Sequence, residues 1–228
     1  LKPEVVSSMA EYTISRSSAS ALQTNKVLRN TYMLLGMTLL FSAFTAALSV
    51  ALRMPPMTYL LSLGGAFLLI WLVLPRTADS SAGLATVFGI TGLLGFALGP
   101  MLTMYLSLPN GPQLVMTALG GTAVIFLSLS AYALTTKRDF SFMGGFLMVG
   151  FMVVLIAALA NIFLAMPALS LALSAAIIMI MSGFILWDTS RIIHGGETNY
   201  IHATVQLYLN IFNIFINLLA LLGFASDD

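Results

Sequence analysis

The sequence contains no cysteine. This excludes disulfide bonds, thiolate nucleophiles and cysteine-ligated metals. Charge is nearly as scarce. Asp, Glu, Lys and Arg make up 7% of the 228 residues, where a soluble domain carries about a quarter. So few charges cannot solvate the surface of a globule of this size. The net charge of +1 offers nothing to a nucleic acid. Histidine occurs twice, at His194 and His202, outside every long apolar run. Their spacing matches no metal-ligand pattern, and no histidine stands ready to activate a serine at membrane depth. No metal, cofactor or enzymatic activity is expected.

Apolar residues, by contrast, make up 59% of the chain. They fall into seven runs, at about 28–52, 57–74, 82–107, 113–135, 142–164, 168–189 and 203–224. Each is long enough to cross a hydrocarbon core ~30 Å thick as a helix. The fold expected is an all-α integral membrane bundle of seven transmembrane helices, with the lipid bilayer as its solvent. Pro55, Pro56, Pro75, Pro109, Pro112 and Pro167 mark run ends, where a missing N–H does least harm. Pro100 alone lies inside a run and predicts a kink or tilt.

Residues 1–25 are polar and predict a flexible tail; 26–228 form one transmembrane domain without internal repeats. The tail shows no signal-peptide pattern, so the first run is expected to be retained. Its first six residues, which begin at Leu1, carry no argument. Seven spans with a cytoplasmic N-terminus place eight of the nine basic residues on one side, leaving only Arg53 opposite. That is the bias cytoplasmic loops show, and it predicts an external C-terminus.

Polar residues at membrane depth are costly and therefore informative. Asp188 ends the sixth run, in the stretch Trp187-Asp188-Thr189-Ser190-Arg191. Arg191 lies three residues on, close enough to share a helix face. The pair reads either as an interfacial ion pair or as a titratable gate or cation ligand at a cavity mouth. On the seventh run Gln206, Asn210, Asn213 and Asn217 recur at steps of four, three and four. They span about 40° of helix arc over ~16 Å. This edge turns inward, either for interhelical hydrogen bonds or as a hydrated polar path. By depth, Asp188 is expected closest to Gln206 and within about a turn of Asn210. On the third run Gly92, Gly95 and Gly99 share a face beside Pro100. Such small residues let helix backbones approach closely; a pore-lining role is the alternative.

Four segments carry a family resemblance: Gly95 to Leu102, Lys137 to Gly145, Asp188 to Tyr200, and Leu207 to Leu219. Together they resemble the Bax inhibitor-1 family over nearly the whole chain. The loop His194 to Ile201 and the closing Gly223-Phe-Ala-Ser are similar to its bacterial YccA-like branch. The resemblance implies an inner-membrane protein that is a substrate or modulator of the membrane AAA protease FtsH, with residues 1–25 as the end such a protease grips. The alternative it implies is a pH-sensitive calcium leak gated by an aspartate pair between helices 6 and 7. Asp188 matches the first aspartate. Asn210 stands at the second position, so the pair lacks one charge. Arg76 is the candidate for an arginine associated with that gate, and Ca²⁺ would be the permeant ion.

Overall fold

The computed structural model describes residues 22–225 with their side chains. Over residues 3–21 only the backbone is described, and it is helical and continuous with the first span, where the sequence reading expects a flexible tail. Seven helices are long and apolar enough to cross a membrane. They are α1 (Pro3–Ala51, of which Leu22–Ala51 is the span), α2 (Met57–Thr77), α3 (Ala82–Leu106), α4 (Gly111–Thr136), α5 (Met143–Leu164), α6 (Pro167–Ile193) and α7 (Tyr200–Phe224). Loops of a few residues join them, so neighbours in sequence run antiparallel.

Two boundaries differ from the sequence reading for identifiable reasons. Pro75 does not end α2. The helix passes through a π turn at Leu69–Val73 and then continues over Leu74–Thr77. Pro75 cannot donate to the carbonyl one turn back, and a widened turn just before it re-registers the ladder. At the other end of the chain, α7 begins at Tyr200 because the Asn199 side chain caps it, accepting from the backbone N–H groups of Ile201 and His202 at 2.9 and 3.4 Å.

Helix α7 is the hub. It packs against α1, α3, α4 and α6, whereas among the described residues α2 packs only on α3 and α5 only on α6. Its side chains are buried on most sides, including Leu207, Tyr208, Ile214 and Leu219. The outer helices show the reverse. On α5, Phe146, Val153 and Phe163 are exposed, as lipid-facing positions should be.

The glycine face of α3 meets α1. A Cβ on Gly95 would run into the Ser42 carbonyl and the Thr45 hydroxyl, and one on Gly99 into the Ser49 side chain. Gly92 faces the ring of Phe41. This is close backbone packing of small residues. The helix runs on through Pro100 without interruption to Leu106.

Candidate functional site

Helix α6 starts with Pro167 at its first position, where a missing N–H costs nothing. Its last two turns carry Asp188-Thr189-Ser190, all three buried. Asp188 is 4% exposed and faces α7. There Asn210, 7% exposed, donates from Nδ2 to Asp188 Oδ2 at 2.7 Å. The contact is a short, charge-assisted hydrogen bond between neighbouring helices. Beside it Thr189 Oγ1 lies 3.3 Å from the Tyr32 hydroxyl of α1. Thr204 of α7 donates to the Tyr200 carbonyl at 2.7 Å and approaches the Thr31 carbonyl of α1 at 3.4 Å. The acid thus sits in a polar layer shared by α1, α6 and α7.

Arg191 does not pair with Asp188, contrary to the sequence expectation. Its Nη2 lies 3.5 Å from Glu197 Oε2 and 3.3 Å from the Gly196 carbonyl, and its guanidinium stacks 4.6 Å above the Trp187 ring. The loop offers a carboxylate and a carbonyl, and Trp187, one turn back on α6, offers an aromatic face where water still reaches. Meeting Asp188 would require stripping water from the guanidinium. Arg76 is also apart from the acid. It is exposed and donates to the Leu72 carbonyl of its own helix, and α2 packs on neither α6 nor α7.

The amide edge does not turn inward as a whole and is no interhelical ladder: Gln206, Asn213 and Asn217 share the least buried side of α7 with His202, Leu209, Ile216 and Ala220. Asn213 donates to the Leu209 carbonyl and Asn217 to the Asn213 carbonyl, each at 2.8 Å and each on α7 itself. Gln206, Asn213 and Asn217 are half-buried. Asn210 alone of the four reaches another helix, and it is Asn210, not Gln206, that meets Asp188.

Two polar features had no clear signal in the sequence. One is a second buried station on α7, two residues before Asn210: Tyr208 lies 2.5 Å from the Ser42 hydroxyl of α1 and donates to the Thr91 carbonyl of α3 at 3.3 Å. The other is a set of ties among three loops at the α6–α7 end. Asn199 Nδ2 donates to the Ala78 carbonyl at 3.1 Å and to Asp79 Oδ1 at 2.7 Å. The Ser190 hydroxyl accepts from the Phe140 N–H at 2.9 Å and donates to the Arg138 carbonyl at 3.3 Å. Asn199 was findable as a helix cap directly before an apolar run.

Chemically, the site offers one carboxylate, one amide donor already engaged with it, and hydroxyls. Its carboxyl group can take up one proton. It presents no activated nucleophile.

A family model described as "Inhibitor of apoptosis-promoting Bax1" matches residues 24–227. The chain is 54% identical to the Escherichia coli K12 protein named "Modulator of FtsH protease YccA", over 94% of this chain and 97% of that one. The same identity and coverage hold for an E. coli O6:H1 protein named "Inner membrane protein YccA". A Vibrio cholerae "Uncharacterized membrane protein" is 48% identical over 95% of this chain and 97% of its own length.

Proposed function

The chain belongs to the Bax inhibitor family, and on that premise we propose that it is a non-enzymatic inner-membrane modulator of an FtsH-type membrane protease. One observation carries this reading: 54% identity, across almost the full length of both chains, to a relative named for that role. The fold is consistent with it. A bundle whose loops are tied to one another at the α6–α7 end resists extraction from the membrane. A protease that begins on a loose terminus is therefore slowed, and occupied, by such a substrate. Residues 1–25, placed in the cytoplasm by the distribution of basic residues, are the end it would take hold of. The test is co-purification of FtsH with the full chain and with a chain lacking residues 1–25. Loss of FtsH on truncation is the expected result; equal recovery removes the tail from the mechanism.

A second reading, a cation leak around Asp188, is favoured by the burial of that carboxylate in a polar layer. Asn210 weighs against it, because an amide adds no charge for Ca²⁺ and shares no proton.

A further inference from the structure

Between α1, α3, α4 and α7 lies a cavity of about 740 Å³. It occupies the bundle half towards the α1–α2 and α3–α4 connections, since its walls are the C-terminal halves of α1 and α3 and the N-terminal half of α4. Two facing rows form its sides. Ala43, Ala47 and Ala51 recur every four residues on α1, and Leu119, Ala123 and Leu127 do so on α4. All six are exposed although they line an internal space. The space therefore opens sideways, between α1 and α4. These two helices do not pack on each other; they meet through the rings of Tyr32 and Phe126, with centroids 6.0 Å apart, and Phe126 also lines the cavity.

Alanines normally mark close helix packing, yet here they face a gap. A gap of this size, open to the bilayer, takes in whatever surrounds it, because close packing is the default inside proteins. Two observations identify the occupant. The lining is almost wholly hydrocarbon. Its polar groups are already engaged: Tyr208 donates to the Thr91 carbonyl, Ser42 completes the pair with Tyr208, and Thr122 donates to the Ala118 carbonyl at 2.7 Å. No hydrogen-bond donor is left over for a headgroup or a peptide carbonyl. Such walls match hydrocarbon alone, and the bilayer onto which the space opens supplies it as acyl chains.

We infer that this cavity is a binding site for an acyl chain of a bilayer phospholipid, which enters between α1 and α4 and ends beside the Ser42–Tyr208 pair near mid-membrane.

The test uses the full chain in vesicles of phosphatidylethanolamine and phosphatidylglycerol, with a fraction of the lipids carrying a diazirine near the acyl terminus. On illumination the probe loses N₂ and inserts into neighbouring bonds, and mass spectrometry locates the adducts. Cavity-lining residues of α1 and α4 are expected to be labelled about tenfold more than outward residues of α5 such as Val153 and Phe163, equivalent to a preference of ~1.4 kcal/mol. Ala47→Phe with Ala123→Phe fills the slot and should abolish the excess, with labelling of α5 unchanged. Ala47→Leu, a milder change, should reduce it in part and covers the case in which the double variant does not fold. Equal labelling of cavity and α5 overturns the inference. So does an excess that survives the filling variants, or crosslinking of the slot to another polypeptide in place of lipid.

Discussion

Asn210 holds Asp188 across the α6–α7 interface at 2.7 Å, and the two come from opposite sides of a single short loop. The pair therefore joins the hub helix to its partner in the antiparallel α6–α7 hairpin. Its energetics are asymmetric, because losing the donor leaves a buried carboxylate without compensation.

Asn210→Leu should lower stability by ~1–3 kcal/mol, the cost of leaving a buried polar group unpaired. Asp188→Asn keeps a hydrogen-bond partner for Asn210 and should cost less. The double variant Asp188→Leu/Asn210→Leu should fall short of the sum of its single changes, since the residues are in contact. Thermal unfolding in mild detergent, followed by loss of monodisperse protein, measures all three. Additive losses would show that the hydrogen bond contributes nothing.

Glycine substitutions should separate by position. Gly95→Leu pushes α3 away from the Ser42 backbone and should cost ~1–3 kcal/mol or more by overpacking. Gly64→Leu on α2 meets open space and should cost little. The same melt compares them, and similar losses at both sites would contradict the α1–α3 packing described.

The loop ties are testable through Asn199. Asn199→Ala removes the cap of α7 and both bonds to the α2–α3 connection. A cap loss alone typically costs ~1 kcal/mol. Amide hydrogen exchange should accelerate around residues 77–83 and 194–203 and stay unchanged at the α3–α4 connection. Acceleration confined to the first turn of α7 would mean that the tie to Asp79 is not made.

Calcium flux into vesicles separates the two functional readings. A modulator needs no conduction, so wild type and Asp188→Asn should be equally tight. Asn210→Asp creates a second carboxylate beside the first and should gain flux. A wild-type flux lost in Asp188→Asn would establish the leak instead.

Topology has its own check. A reporter fused after Asp228 should be active only in its external form, and a cytoplasmic signal would contradict seven spans with an internal N-terminus.

The spans were legible in the sequence because hydrocarbon thickness sets a minimum run length and the short connections are punctuated by proline. The glycine face of α3 was legible for a similar reason: residues spaced like Gly92, Gly95 and Gly99 must share a side. Depth alone did not pick the partner of Asp188, although the family resemblance set Asn210 opposite it, as found. Gln206 and Asn210 differ by one helical turn, and the choice between them depends on where α7 begins, which the Asn199 cap decides. Arg191 was misplaced because helical spacing shows what a side chain can reach, not which neighbour remains better hydrated. Asn213 and Asn217 show a related limit. An amide in a helix can satisfy itself one turn back, so a polar edge need not turn inward to bind a second helix. The slot between α1 and α4 depends on two helices not meeting, and no single-chain pattern records that.

The position of α7 at the hub has a consequence for the order in which the protein is made. Chains leave the ribosome from the N-terminus, so the helix that four others pack around arrives after all four of them. Until residues 200–224 are inserted, α1, α3 and α4 lack their common neighbour, and Asp188 stands in the membrane without Asn210. Every copy thus passes through an interval in which its most polar buried group is unpaired, and a chain that stops short of α7 never leaves that state. The core of this bundle closes only when its seventh helix is in place.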